Sequence, residues 1–429
     1  MRYLPINNLL FINNRNRFTE LLPADSVAIF HSNEQYPRNG DQYLPFRQQS
    51  DLFYLTGIDQ EKTVLLLAPE APNKHLREVL FIIKSNEMLA RWEGHKYTID
   101  EVQQMSGVQN VQFLENYEAV LREILTWAKN IYLNYNEYSK FYTEVKDRNQ
   151  RLGEDLQSRY PLYRYLRSAP LMAQLRMIKS QLEIELLQQA CDITNKAFRR
   201  VLGTTRPGMN EMDVQAEIEH EFTINRASGH GYQPIIASGE NACVLHYVTN
   251  DQECKEGDLL LFDFGAEYAN YSADMSRTIP VNGKFTPRQR ACYDAVLRVQ
   301  RELIKMYVPG NTIDMINKKA EELMEKEMIQ LGLLTLTAII AQDPKSPLFK
   351  QYFMHGTAHF LGLDVHDVGP KDAILAPGMV LTCEPGIYIE EEKIGIRLEN
   401  DILVTEGDPI DLMANIPIEV DEIEALMKK

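Results

Sequence analysis

Apolar residues recur in two rhythms along this chain, and the rhythm changes near residue 170. Before that point, short β-branched runs at Ser26–His31, Thr63–Ala68 and Glu78–Lys84 read as strands. Between or after them, Thr98–Ser106, Glu115–Ala128 and Lys146–Ser158 carry helical spacing among Glu, Lys and Gln. Strand–helix alternation of this kind predicts an α/β domain over residues 1–170. Within it, Arg47–Gly57 runs polar, then aromatic, then glycine, and reads as an ordered loop leading into a strand.

Beyond Ser168-Ala-Pro170 long amphipathic helices take over, and residues 171–429 read as a second domain of α+β type. Gln174–Leu202 sets Leu175, Ile178, Leu182, Leu186, Ala190, Ile193, Ala197 and Val201 at three- and four-residue steps, a buried stripe ended by Gly203, Pro207 and Gly208. A second helix, Glu211–Ala227, shows Met212, Ala216, Ile218 and Phe222 on its apolar face. Then come β-type segments at Pro234–Ser238 and Asp258–Phe264, and a helix over Pro287–Met306. Helical 311–331, apolar 335–341 and two strands within 380–405 repeat the order helix, helix, strand. That order points to a structural duplication without a residue-level repeat.

Each half ends in an acidic hairpin. Asp258-Leu-Leu-Leu-Phe-Asp-Phe-Gly265 turns through Glu267–Asn270 and returns as Tyr271–Ile279. With the turn centred between Tyr268 and Ala269, Asp263 faces Asp274 directly, at a Cβ separation of about 4.5–5.5 Å. Glu384 and Glu399 are likewise symmetric about Glu391 and Glu392. A lone Asp inside Leu-Leu-Leu-Phe-Asp-Phe would be buried without a partner, and Glu384, between Leu-Thr-Cys and Pro-Gly, is placed in the same way. Glu390–Glu392, by contrast, read as a solvated turn.

Totals narrow the picture. At 429 residues the chain is too long for one typical core. Its formal charge of −16 argues against nucleic acid, and no run of eighteen apolar residues is present to span a membrane. Pro5 and the Asn pairs interrupt the N-terminal apolar residues before a secretory core forms. Five widely spaced cysteines without CxxC suit reduced thiols in a cytoplasm. Cys383 beside Glu384 reads as strand filler rather than as a nucleophile.

Between the two hairpins, His355-Gly-Thr-Ala-His-Phe-Leu-Gly-Leu-Asp-Val-His366 holds three of the nine histidines. Gly356 and Gly362 speak against a helix there, so these histidines belong to a glycine-punctuated loop, and one of them would ligate a metal. His246, in Leu245-His-Tyr-Val-Thr-Asn250, is a fourth candidate. Opposed carboxylates repel unless a cation lies between them. Two divalent ions about 3.5–4 Å apart, bridged by carboxylates, are one solution used in hydrolysis. A hard, oxygen-rich donor set with one imidazole favours Mn²⁺, with Co²⁺, Zn²⁺ or Fe²⁺ also fitting.

These motifs resemble those of the pita-bread metallopeptidases, a group that includes methionine aminopeptidase, prolidase, aminopeptidase P and the metal-free creatinase. The resemblance rests on His355–Gly369, Leu381-Thr-Cys-Glu-Pro-Gly-Ile-Tyr-Ile389 and Gly395-Ile-Arg-Leu-Glu-Asn400. Tyr43–Gly57 and the C-terminal Leu412-Met-Ala-Asn-Ile-Pro are similar to aminopeptidase P in particular. Methionine aminopeptidase lacks the first domain and creatinase the ligands, so neither fits. The resemblance implies a creatinase-like α/β N-terminal domain, a pseudo-two-fold catalytic domain, and release of an N-terminal residue that precedes proline. It implies metal ligation by Asp263, Asp274, His359, Glu384 and Glu399, with Glu384 also moving the proton of the attacking water. His246 and His366 would stabilise the oxyanion, and His355, Tyr388 and Arg397 would border the proline pocket. Trp92 either closes a neighbouring subunit's site in a homo-oligomer, dimer or tetramer, or is a core aromatic. A dipeptide-only prolidase and a non-catalytic binding module of the same fold are the alternatives.

Overall fold

The computed structural model describes residues 3–428. The chain divides into two compact units, one from Tyr3 to Arg176 and one from Met177 onward.

The first unit is built on a six-stranded mixed sheet. Its strands lie in the order Val111–Phe113, Glu78–Ile82, Val64–Leu67, Ser26–His31, Asn130–Leu133 and Arg164–Arg167. Ser26–His31 is buried at all six positions, so both of its faces are covered. On one face Val27, Ile29, Leu66, Phe81 and Ile131 meet Leu121, Ile124, Leu152 and Leu156 of the helices Tyr117–Leu125 and Arg148–Arg159. On the other, Phe30 stacks edge-on against Phe18 of the helix Leu9–Leu21 at 5.2 Å. Successive strand residues point to opposite faces, which is why neighbours in sequence serve both layers.

Arg47–Gly57 corrects the sequence reading. Ser50–Thr56 is a wholly buried helix, not a loop before a strand. The Gln49 side chain caps it by accepting from Leu52 N, and Gly57 ends it at φ 67°. Phe11 leaves no room there for a side chain: a Cβ on Gly57 would lie 2.2 Å from its ring. The polar-then-aromatic run that read as a loop is core filling for a short helix, and tertiary burial outweighs local propensity.

The long helix expected over Gln174–Leu202 is two helices, Ala169–Arg176, which closes the first unit, and Gln181–Thr204, which opens the second. The break comes from a capping box: Ser180 and Glu183 satisfy each other's backbone N–H groups and start a new helix. The buried stripe holds from Ala190 onward, but before it Glu183 and Leu187 are the buried positions, while Leu182 and Leu186 are half-buried. Helix Glu211–Ile224 buries Glu211, Val214, Ile218 and Phe222, and Met212 is 56% exposed. The apolar 335–341 stretch is a short helix, Leu336–Ala341, with no buried residue.

Both halves of this unit follow the same plan. Gln181–Thr204 and Glu211–Ile224 precede the hairpin that runs from Leu259–Asp263 to Ser276–Pro280. Pro287–Ile304 and Ile313–Gln330 precede the second hairpin, which has four short strands, Val380–Cys383, Gly386–Ile389, Ile394–Arg397 and Asn400–Leu403, where two were expected. This is a duplicated α+β architecture, with each carboxylate pair placed where a hairpin is interrupted.

The register of the first hairpin differs from the expected one. Asp263 pairs with Ser276, and Glu267 with Ser272, because the turn is centred between Ala269 and Asn270. Both of these residues have positive φ, 51° and 63°, as a two-residue hairpin turn of the left-handed type requires. The second hairpin keeps the expected register: Cys383 pairs with Asn400 and Gly386 with Arg397, which sets Glu384 opposite Glu399.

At Gly265 the two arms of the first hairpin close so tightly that a Cβ would sit 1.7 Å from Ala273 O. Gly265→Ala should therefore destabilise the second unit by about 3 kcal/mol. Gly203, inside a helix with open space around it, should respond oppositely, with Gly203→Ala stabilising by about 0.5 kcal/mol. Urea unfolding of the two variants checks both signs.

Candidate metal centre

Interrupted strands bring the acidic residues together. Asp263 is the last residue of its strand, and Asp274 follows the returning turn, buried, just before Ser276–Pro280. Because of the register, the two are diagonal rather than opposed. The phenol of Tyr232 bridges them, its hydroxyl 2.7 Å from Asp263 Oδ1 and 2.6 Å from Asp274 Oδ1. The Asp274 backbone N–H donates to Asp401 Oδ2 at 3.1 Å, which holds that segment away from ordinary strand pairing.

Glu399 joins from the second hairpin. Its N–H donates to Ser276 O at 3.0 Å, and Ser276 Oγ donates to Glu399 Oε2 at 2.7 Å. His359 comes from a loop without regular structure that is pinned to strand Val380–Cys383. Thr382 N donates to His359 O at 3.0 Å, and His359 N donates to Thr382 Oγ1 at 3.2 Å. Glu384 N donates to Thr357 O at 3.0 Å, so the same loop positions both residues.

The side chains converge. His359 Nε2 lies 3.3 Å from Asp274 Oδ2 and 3.7 Å from Glu384 Oε1. One donor atom from each of Asp274, His359 and Glu399 falls within 4.8 Å of the others. Glu384 joins these three through His359, and Asp263 joins through the Tyr232 hydroxyl that it shares with Asp274.

His355, Tyr388 and Arg397 make a hydrogen-bonded wall beside it. Arg397 Nη1 donates to Tyr388 Oη at 2.9 Å, and Tyr388 Oη lies 2.8 Å from His355 Nε2. Arg397 also pairs with Asp263 through Nη2 at 2.7 Å. His366 is exposed, with its ring edge-to-face to His359 at 4.5 Å. His246 is exposed on the loop after Gly239–Cys243 and close enough to His355 for their charges to interact. Trp92 lies in the first unit on helix Glu87–Glu93 and is 85% exposed, so it is not a core aromatic. Tyr232 and Ser276 escaped the sequence reading. Tyr232 sits in an unpatterned Gly-Tyr-Gln-Pro segment, and the partnership of Ser276 is legible only once the hairpin register is correct.

Burial dominates the electrostatics. It pushes Glu399 and Asp274 up, and neighbouring carboxylates push them further. Glu384 is raised to about 7 by burial together with Asp274, against the lowering effect of His359. Burial alone would lower His359, but Asp274 and Glu384 raise it to about 9. His355 is lowered to about 4 by burial and by Arg397. Asp274, Glu384 and Glu399 are thus all shifted toward the protonated form when no cation is present. A hard, oxygen-rich set with one imidazole, three of its members within 4.8 Å of one another, fits divalent cations.

Comparison with known proteins agrees with this chemistry. Residues 185–406 match the model of metallopeptidase family M24, and residues 11–132 match the aminopeptidase P N-terminal domain. The Xaa-Pro aminopeptidase of Haemophilus influenzae is 35% identical over 432 residues, which cover 97% of this chain and 96% of that protein. The structure of E. coli aminopeptidase P with the inhibitor Pro-Leu superposes with a TM-score of 0.87 at 34% identity and 99% coverage of both chains. Zn-substituted E. coli aminopeptidase P in complex with product gives a TM-score of 0.87 at 33% identity, with the same coverage.

A cation entering this cluster must displace the protons held on His359 and on the raised carboxylates. Loading the apo protein with Mn²⁺ near pH 7.5 should release about one to three protons, and affinity should rise between about pH 6 and pH 9. Titration calorimetry in buffers of differing ionisation enthalpy measures this, and a pH-independent affinity would contradict it.

Proposed function

The chain belongs to metallopeptidase family M24, and from that premise we propose that it is an Xaa-Pro aminopeptidase, a metal-dependent hydrolase that releases the residue preceding proline at a peptide's N-terminus. The observation that carries this reading is the convergence of Asp274, His359 and Glu399 within 4.8 Å, with Glu384 beside His359 and Asp263 sharing the Tyr232 hydroxyl with Asp274, in a chain alignable almost end to end with Xaa-Pro aminopeptidases. Residues 1–170 form the aminopeptidase P-type N-terminal domain and 171–429 the catalytic domain; the matched spans 11–132 and 185–406 support that division.

Asp263, Asp274, His359, Glu384 and Glu399 would hold two divalent ions, Mn²⁺ before Co²⁺, Zn²⁺ or Fe²⁺ on the hardness of the donors. When bound, such ions supply Lewis acidity and lower the pKa of water. Glu384 takes up the nucleophile's proton and passes it to the departing nitrogen, the general-base and general-acid task of a carboxylate set beside the reacting centre. His246 and His366 stabilise the developing oxyanion from the exposed side of the cluster.

His355, Tyr388 and Arg397 border the proline ring. The Xaa-Pro amide has no N–H to recognise and a fixed φ, so selectivity comes from the shape of this wall. Its rigidity has a visible source in the Arg397–Tyr388–His355 hydrogen bonds. Five free cysteines support a reducing, cytoplasmic setting. Among the described residues no helix is long and apolar enough to cross a membrane, and the charge of −16 disfavours nucleic acid. The exposure of Trp92 supports a homo-oligomer, dimer or tetramer, in which it reaches a neighbouring site.

Two experiments test the reading. Glu384→Ala should leave the protein folded and cut hydrolysis by about 10²–10⁴-fold; unchanged turnover removes the proton-transfer role. The wild-type enzyme should turn over Xaa-Pro-Xaa tripeptides, and activity confined to Xaa-Pro dipeptides would make it a prolidase instead.

A further inference from the structure

Glu211 opens the helix Glu211–Ile224 and is completely buried, yet it touches none of the five clustered ligands. Its Oε1 accepts from Ser238 N and Ser238 Oγ, each at 2.7 Å, and from Asn241 Nδ2 at 3.4 Å. Its Oε2 accepts from Tyr247 Oη at 2.7 Å and from Gln252 N at 3.0 Å. Five donor contacts thus converge on its two oxygens. Every one of these donors lies between Ser238 and Gln252, so a single carboxylate gathers the start, middle and end of one loop.

That loop is closed a second time by Asn250. Ile236 N donates to Asn250 Oδ1 at 2.9 Å, and Asn250 Nδ2 donates to Pro234 O at 2.9 Å. Its inner turn is seated on the strand Ile394–Arg397. A Cβ on Gly395 would lie 2.1 Å from Ala242 O, and Cys243 Sγ donates to Ile394 O at 3.5 Å. His246, exposed and adjacent to Tyr247, rides on this lasso toward His355.

We propose that Glu211 is a positioning residue for catalysis, fixing His246 over the site by clamping the 238–252 loop through Ser238, Tyr247 and Gln252. The inference rests on the oxyanion role proposed for His246. The imidazole is exposed, so its placement depends on how firmly its loop is held, and a misplacement of about 1 Å can cost a hundredfold in rate.

The test uses the metal-loaded full chain and an Xaa-Pro-Xaa peptide. Glu211→Gln keeps the shape but turns one acceptor into a donor facing other donors, and Tyr247→Phe removes one donor with little threat to folding. Each should lower kcat about tenfold and leave KM within about twofold. In a His246→Ala background neither should lower kcat further, because the positioned group is already gone. If kcat is unchanged in both variants, or falls by the same factor in both backgrounds, Glu211 is structural only and the proposal is overturned. If His246→Ala itself keeps wild-type turnover, the oxyanion reading fails first and takes the proposal with it. Should Glu211→Gln not fold, Tyr247→Phe decides the matter alone.

Discussion

Four carboxylates are held within a few ångströms of one another and largely out of water, and the rest of the catalytic unit is arranged around that cost. Desolvation and mutual repulsion both oppose ionisation, which is why Glu384, Asp274 and Glu399 all shift upward. The protein partly compensates with its own groups. Arg397 pairs with Asp263, Tyr232 bridges Asp263 and Asp274, and Ser276 donates to Glu399. None of these carries enough positive charge for the whole cluster, and divalent cations supply what remains.

The duplicated architecture answers the mechanical side of the same problem. Each half contributes one broken hairpin, and the break turns carboxylates inward instead of into a ladder. The hairpins are then stitched across the pseudo-symmetry. Glu399 N donates to Ser276 O, and the fully buried Arg277 donates through Nη1 to Ser276 O and Glu399 O and through Nε to Pro417 O. Buried hydrogen bonds of this kind resist displacement, since losing one partner leaves another unpaired. Helices at the back, such as Gln181–Thr204 with its capping box, set where each hairpin begins.

Much of the site was legible in the chain. An aspartate inside Leu-Leu-Leu-Phe-Asp-Phe and a glutamate between apolar residues and Pro-Gly are anomalies of burial, and anomalies of burial mark chemistry. The register of the second hairpin followed from symmetry about Glu391 and Glu392. The first hairpin did not, because Ala269 occupies a left-handed position that its side chain does not advertise. Ser50–Thr56 escaped for a related reason: a polar-then-aromatic run closed by glycine reads as a loop until the packing that buries it is known. Tyr232 carried no signal, since one phenol in a short polar segment resembles many surface tyrosines.

By itself the sequence determined which residue types were available for a metal site, their order along the chain and the helix–helix–hairpin plan that repeats them, because hydrophobic period and turn chemistry are local properties. Only the tertiary structure decided that Asp263 faces Ser276, that Tyr232 lies between two carboxylates and that Glu211 closes the loop bearing His246. Those relations depend on backbone dihedrals at a few turn positions and on packing between segments 27 to 42 residues apart, and no local pattern of polar and apolar residues encodes either.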